Sequence, residues 1–445
     1  MILKIFLLLY RVAWVFLLPL YIAYIMWRSR RDPLYSQYIS ERFAIYKKPM
    51  PQDAIWLHAV SLGETRSASA LITRLLSRGD KIIVTNFTPT GRRAAEQLFA
   101  PEIASGQMAV VWVPFDMMWT YNRFLRACRP RIGLTLEVEV WPSMVFATKS
   151  AGVPLYMCNG QYASQSLARD SRGLRIRQRV MREMTGIFVK SRSHAERFFQ
   201  IGLRNITVTG ELRFDQSIPQ DQINMAAQFQ KTSLGAWQEV IVIASGVESE
   251  EDLYINLIQK VRATAKLEGR QPPFFVYVPR APERFSILAN KFTIAGIKYI
   301  RRSQYTQLDF YSDQPLFSNS PAIFLGDSLG EMFFYLSLSD RVVVGGGFTP
   351  RGAHNIIEPL TLGKPVLTGP FIRPIEYPFV EAEAAGIATK VEYIEELAAA
   401  LSAPLKAIEL QIEAFLKAHS GADIRTLLAI DIALREAPKS KSKII

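Results

Sequence analysis

Cysteine and histidine are scarce in this chain of 445 residues: it has two cysteines, Cys128 and Cys158, and four histidines, His58, His194, His354 and His419. Two thiols build neither a disulfide framework nor a cysteine zinc cluster, and so few imidazoles disfavour metal chemistry. No Asp-x-Asp occurs, and neither a G-x-G-x-x-G fingerprint nor a Walker A loop is present, so a P-loop NTPase is excluded. Acidic residues are in deficit, 40 against 53 Lys and Arg, which leaves +13 and favours an anionic partner without naming it. Charged residues make up only 21% and hydrophobic residues 49%, a composition that buries enough apolar surface to fold and excludes a disordered polymer.

What the sequence has in abundance at its start is an apolar run. Residues 1–27 are apolar apart from Lys4 and Arg11, and 12–27 is uninterrupted for sixteen residues, a little short of the roughly twenty that span a bilayer. No small-residue cleavage signature follows, while Trp14, Tyr21, Tyr24 and Trp27 suit an interfacial aromatic belt. Residues 1–30 therefore read as an uncleaved anchor, spanning or lying flat, with Arg28, Arg30 and Arg31 on the cytoplasmic side. A buried core helix is the bland alternative.

Beyond the anchor, short apolar β-branched runs alternate with helical stretches: 54–60, 81–87, 109–115, 131–138, 154–160, 186–191 and 206–212, then, after a polar stretch 216–238, 239–246, 274–280, 322–328, 341–347, 365–370 and 386–391. Runs that are apolar throughout indicate parallel sheets buried on both faces. The expected architecture is α/β: two doubly wound Rossmann-like domains, 31–220 and 239–430, facing a cleft where ligands meet the carboxyl ends of the strands. The tail 439–445 is basic and carries no fold signal.

Several motifs sit at those strand ends. In 58–72 (HAVSLGETRSASALI) Glu64 opens a helix after a tight turn, placed either to act as a general base or to stabilise the helix start. TLEVEVWPS (135–143) sets Glu137 and Glu139 two apart, on one face if extended, for an electrostatic role. TNFTPTGRRAAE (85–96) reads as an acceptor-side loop or a plain connection, and Arg213 in TGELRFD as an anion contact or a partner of Asp215. In the second half, Gly345, Gly346 and Gly347 precede a helix expected near His354 or Asn355. Such a turn lets backbone amides approach a phosphate, with Asn355 and Glu358 on one helix face and Arg351 or Lys364 toward the anion. A glycine turn with Asn355 as a simple cap explains the same residues. Arg280 closes a strand, and Gly330 with Glu331 opens a helix. Six arginines, Arg169, Arg172, Arg175, Arg177, Arg179 and Arg182, suit a solvated face or a phosphorylated lipid surface; with no aromatic RNA motif nearby, nucleic acid is the least favoured partner.

Taken in order, SLGET, TPTG, LEVEVWPS, TGELRFD, VPRAPERF, GDSLGE and GGGFTPRGAHNIIEPLTLGKPVLTGP resemble the 3-deoxy-D-manno-octulosonic acid (Kdo) transferases of lipopolysaccharide synthesis, over nearly the whole chain. The resemblance implies a GT-B fold with an N-terminal membrane helix. It also implies inverting transfer of Kdo from CMP-Kdo to a hydroxyl of a phosphorylated lipid A precursor at the inner membrane, without metal or other cofactor. Carried over by motif, Glu64 is the general base and Glu137 supports the transition state, while Arg213 stands where the family typically has lysine. Pro279, Arg280, Leu329, Gly330, Glu331, Asn355, Ile356, Ile357 and Glu358 match CMP-contacting stretches. The chain departs from the pattern at Arg213, at Gln161 where arginine is usual, and at Val247 and Ala281 where histidines are usual. These departures leave open a divergent paralogue with another acidic nucleotide sugar or acceptor, and a non-catalytic membrane scaffold.

Overall fold

A computed structural model describes residues 1–235, 239–317 and 321–436. The basic tail and the end of the polar stretch 216–238 lie outside them. The chain divides into two units, Met1–Gln216 with a return that begins at His419, and Ser217–Ala418.

In the first unit seven strands, β1 (Ile55–His58), β2 (Ile82–Asn86), β3 (Met108–Trp112), β4 (Ile132–Leu136), β5 (Leu155–Gly160), β6 (Gly186–Val189) and β7 (Ile206–Val208), form one sheet in the order β3-β2-β1-β4-β5-β6-β7. Every pairing is parallel. β1 and β4 are neighbours from opposite directions of winding, so the loops leaving them diverge and open a crevice at their carboxyl ends. The segments that follow these two strands carry Glu64, in the first turn of a helix, and Glu137. Apolar cores cover both faces, one around Trp56, Tyr121, Phe124 and Met157, the other around Leu57, Leu71, Leu75 and Leu134.

In the second unit β8 (Val240–Gly246), β9 (Phe274–Pro279), β10 (Tyr299–Arg301), β11 (Ile323–Leu325), β12 (Arg341–Val344), β13 (Val366–Thr368) and β14 (Ala388–Lys390) are ordered β10-β11-β9-β8-β12-β13-β14, again all parallel. The switch point is here between β8 and β12, and the glycine-rich turn 345–347 leaves it. β10 escaped the sequence reading: it is three residues long, at the sheet edge and half-buried throughout, so it lacks the apolar run that betrays a central strand.

The expected boundaries 31–220 and 239–430 need correction at both joints. The stretch 216–238 is not a bare linker, because Gln220–Phe229 is a helix of the second unit that buries Met225, Ala226 and Phe229. The C-terminal helix Ala422–Glu436 belongs to the first unit instead, and buries Ala422, Ala429, Ile430 and Ala433 against the core of Leu71 and Leu75. Asp215 fixes its start by accepting from the amides of Gly421 (2.6 Å) and Asp423 (2.9 Å), and Arg425 donates to the Thr209 carbonyl (2.8 Å). A carboxylate of the TGELRFD motif thus caps a helix some two hundred residues later, a pairing that no local pattern reveals.

The N-terminal run forms the helix Ile2–Ser29, long and apolar enough to cross a membrane. One face packs along the first unit from end to end: Leu3 and Phe6 near its start, Trp14, Leu18, Tyr21 and Ile22 in the middle, and buried Ile25 near its end. The Tyr10 hydroxyl donates to Asp116 (2.6 Å), and Arg28 to the Tyr35 hydroxyl (2.7 Å). The other face presents Leu8, Leu9, Val12, Val15, Phe16 and Leu20, all exposed. The short helix Ile176–Met181 of the arginine-rich segment packs against this helix.

Candidate active site

In the first unit the site begins where β1 ends. Ser61 caps the helix Leu62–Ser67, its Oγ accepting from the Glu64 amide (3.4 Å). The Glu64 carboxylate reaches back to accept from the Val60 amide (2.6 Å) and the Ser61 hydroxyl (3.1 Å). This is the reciprocal logic of a capping box, so the structural role of Glu64 is real. Glu64 is also 8% exposed, and burial pushes its carboxyl up to about 7, with the negative charges of Glu137 and Glu139 adding to the shift and the Val60 amide opposing it. A carboxylate poised there can hold or give up a proton at neutral pH.

The TPTG motif is part of the same construction. The Phe87 and Thr88 amides and the Thr88 hydroxyl all donate to the Val60 carbonyl. Gly91, near the start of the helix Pro89–Leu98, lies so close to Ser61 that a Cβ would come within 2.9 Å of its carbonyl carbon. Gly91→Ala is therefore expected to lower stability by about 1–3 kcal/mol in urea melts, since neither backbone can yield cheaply.

At the end of β4 the chain turns: Glu137 adopts φ +56°, so Glu137 and Glu139 do not form the extended pair their spacing suggested. Glu139 accepts from the Trp141 indole (2.6 Å), while Glu137 accepts from Arg213 (3.0 Å). Arg213 therefore pairs with Glu137 and not with Asp215, which is engaged in capping. A further cation, missed in the sequence, completes the cluster. Lys190 is 2% exposed, with its Nζ 2.7 Å from Glu211, 3.1 Å from the Gln161 side-chain oxygen and 3.7 Å from Glu137. Burial alone would raise the Glu211 carboxyl, but Lys190, Arg213 and an Asn159 hydrogen bond (2.9 Å) hold it down at about 2. The available signal was a lysine directly at the end of a buried apolar strand, followed by a glutamate in TGELRFD. His58, the histidine nearest in sequence to Glu64, is fully buried and held down to about 4, so it is no rival base.

In the second unit the glycine-rich turn is not an open phosphate cradle. Glu250 fills it: its carboxylate accepts from the amides of Gly346 and Phe348, both at 2.7 Å. The glycines answer to packing, because a Cβ on Gly347 would lie 2.2 Å from the Thr368 hydroxyl and one on Gly345 2.5 Å from the Ser245 carbonyl oxygen. The expected helix near His354 begins later, as Ile357–Thr361, with Asn355 accepting from the Ile357 amide (2.9 Å) as a cap. Ile356 and Ile357 are buried in the core, so a ligand can meet them only through backbone.

Arg280 is the cation that stands ready. It donates to His354 Nδ1 (2.7 Å), which assigns the histidine's proton to Nε2, a buried atom with no hydrogen-bond partner. Burial, then Arg280, presses His354 down to about 4, so it stays neutral. Pro279 ends β9 beside Arg280, and the Arg280 amide donates to the Gly246 carbonyl (2.9 Å), which ties the two strand ends together. Glu331 is not merely a helix-start charge: it pairs with Arg302 (2.7 Å) and with the Ser328 hydroxyl. Gly330 accepts from Gln222 (2.9 Å), and Leu329 is exposed. Among the described residues no group of three or more His, Cys, Asp or Glu side chains has the arrangement of a metal site.

Residues 37–216 match the family model for 3-deoxy-D-manno-octulosonic-acid transferase (kdotransferase). The 3-deoxy-D-manno-octulosonic acid transferase of Bordetella pertussis is 33% identical over 418 residues, covering 91% of this chain and 94% of that one. The chain belongs to the Kdo transferase family. It is a glycosyltransferase, and the reaction class is Kdo transfer in lipopolysaccharide synthesis. The Haemophilus influenzae enzyme of the same name is 26% identical over 79% of each chain. Glycyrrhiza uralensis UGT73P12 shares the fold, with a TM-score of 0.58 at 11% identity over 87% of this chain and 96% of that one. The two parallel sheets and this neighbour make the fold GT-B. The first-unit cluster thus sets a carboxyl with a raised pKa near a carboxylate held by two cations, and the second-unit cluster an exposed arginine on a neutral histidine.

Proposed function

We propose that this Kdo transferase moves Kdo from CMP-Kdo to a hydroxyl of a phosphorylated lipid A precursor, with inversion and without a metal. The carrying observation is Glu64, a buried carboxylate lifted to about 7 beside a second carboxylate, Glu137, that two cations hold. In one displacement Glu64 takes the proton of the acceptor hydroxyl as its oxygen bonds to the anomeric carbon, and the bond from that carbon to the CMP phosphate breaks. Glu137, oriented by Arg213 and Lys190, supports positive charge developing on the sugar ring. Arg280 and the 355–358 segment receive CMP in the second unit, with Arg280 opposing the charge of the departing phosphate.

The enzyme works at the cytoplasmic face of the inner membrane. The helix Ile2–Ser29 packs along its whole length on the first unit and turns an exposed apolar face outward, which favours a helix lying in the interface over one crossing it. The arginine-rich helix beside it supplies positive charge for anionic lipid. In the surrounding segment Arg169, Arg172, Arg175 and Arg182 are exposed, while Arg177 and Arg169 pair with Asp170, and Arg175 and Arg179 donate to backbone carbonyls.

Incubation of purified protein with CMP-Kdo and a lipid A precursor, followed by mass spectrometry, is expected to show products heavier by whole Kdo units, equally with and without a chelator. No Kdo adduct, with intact CMP binding by calorimetry, would point to the second reading. That reading is a divergent donor or acceptor, favoured by Val247 and Ala281, which bring no polar side chain to the donor side.

A further inference from the structure

Between the N-terminal helix and the body of the first unit lies a cavity of about 360 Å³. Tyr10, Trp14 and Tyr21 form one wall, and Phe87, Phe115 and Trp141 the other. Into this aromatic chamber the fold places Arg42, 2% exposed. Its side chain makes no hydrogen bond or ion pair among the described residues, and its Nε is buried without a partner. Its neighbour Glu41 is engaged elsewhere, with Arg92 (2.6 Å) and the Trp112 amide (2.9 Å). The guanidinium only stacks, 4.4 Å from the Trp112 ring centre and 5.7 Å from that of Phe87. Burial, the largest influence, presses it down to about 10, still charged at neutral pH.

Buried cations are paired in folded proteins because desolvation without a counter-ion is strongly unfavourable. The carboxylate that shares the cavity, Asp116, does not fill the need. It accepts from the Tyr10 hydroxyl (2.6 Å) and the amides of Ser143 (3.3 Å) and Met144 (3.0 Å), and it forms no ion pair with Arg42. The missing partner is thus an anion with apolar surroundings. The cavity also adjoins the base: the Phe87 amide donates to the Val60 carbonyl (3.2 Å), and the Val60 amide to Glu64 (2.6 Å). On the opposite wall Trp141 donates to Glu139 (2.6 Å).

We propose that this cavity seats a phosphate of the lipid acceptor on Arg42, with the adjoining apolar part of the lipid along the aromatic walls. The proposal rests on the reading of the chain as a transferase to a phosphorylated lipid. It makes the N-terminal helix a wall of the acceptor site as well as a membrane contact, since three of the lining aromatics come from it. A planar guanidinium offers a phosphate two parallel hydrogen bonds, so the charge is there for recognition and not for the stability of the empty protein.

The test measures binding, not turnover. In a Glu64→Gln background, calorimetry compares a phosphorylated lipid A precursor in detergent micelles with its dephosphorylated counterpart, for Arg42 and for Arg42→Met. The variant is expected to weaken binding of the phosphorylated lipid by about tenfold or more, to leave the dephosphorylated lipid and CMP unchanged, and to melt no lower. Arg42→Lys should recover part of the loss. Equal weakening of both lipids, or a lower melting temperature with no phosphate selectivity, would overturn the proposal and leave Arg42 a structural residue stacked on Trp112. Binding of phosphatidylglycerol micelles as tightly as the precursor would overturn the acceptor assignment in favour of bulk membrane lipid. Stabilisation by inorganic phosphate alone, without selectivity between the lipids, would overturn it in favour of a free anion. Phosphate-selective, Arg42-dependent lipid binding by a chain that fails to use CMP-Kdo would sink the donor reading and leave this one standing.

Discussion

Glu64→Gln is expected to lower kcat by about a hundredfold or more, because an amide of the same shape cannot take the proton of the attacking hydroxyl. The wild-type kcat/KM should fall on the acid side with an apparent pKa near 7, the value to which burial and the two neighbouring carboxylates lift Glu64. That limb should be absent from the residual activity of the variant. Stability moves the other way. A carboxyl with a folded pKa of about 7 against an ordinary 4.5 binds its proton more tightly in the folded state, so the protein loses stability as pH rises through that window. The neutral amide avoids this loss, and the variant should be more stable than wild type in urea at pH 8, with the difference closing toward pH 4.5. Near-normal turnover by Glu64→Gln would refute the base assignment. An unchanged pH dependence of stability would refute the buried, raised carboxyl.

The second large effect is expected at Lys190. Replacing it by Met leaves Glu211, 2% exposed, without its cation and is expected to destabilise the protein by about 3–5 kcal/mol near neutral pH, the usual loss when one partner of a buried ion pair is removed. Glu211 has a depressed pKa of about 2 in the folded state, so its contribution is present above the ordinary carboxylate value and is lost as pH falls through 2. In the variant Glu211 would protonate far more easily, and the gap between the two proteins should narrow as the pH drops from 7 toward 4. Lys190→Met with Glu211→Gln should recover part of the stability while leaving catalysis impaired, because Glu137 would still lack the cation 3.7 Å from it. A stability loss that ignores pH would show that Lys190 contributes packing alone.

Local chemistry explains which parts of this protein were readable beforehand. Seven apolar runs before residue 215 and six after 239 announced parallel strands, because a strand covered on both faces is apolar throughout. β10 failed that test as a short, half-buried edge strand. The Ser61–Glu64 spacing announced both a helix start and a candidate base. The same kind of inference misled at the glycine-rich turn: glycines between a strand and a polar loop look alike whether a phosphate or Glu250 approaches their amides. Asp215 looked like a partner for Arg213 two residues away, yet it caps the C-terminal helix, and Arg213 reaches Glu137 instead.

By itself the sequence determined the two-sheet architecture, the apolar N-terminal helix and the family, and it singled out Glu64, Glu137, Arg213 and Arg280 as candidates, since each follows from periodicity or from a motif contiguous in the chain. Only the tertiary structure decided which charges meet, namely Lys190 with Glu211 and Glu137, and Glu250 with the glycine turn. It alone also left Arg42 buried with no ion pair among the described residues. Electrostatic partnership depends on distance and desolvation in three dimensions, and residues fifty or a hundred positions apart carry no trace of either in their order along the chain.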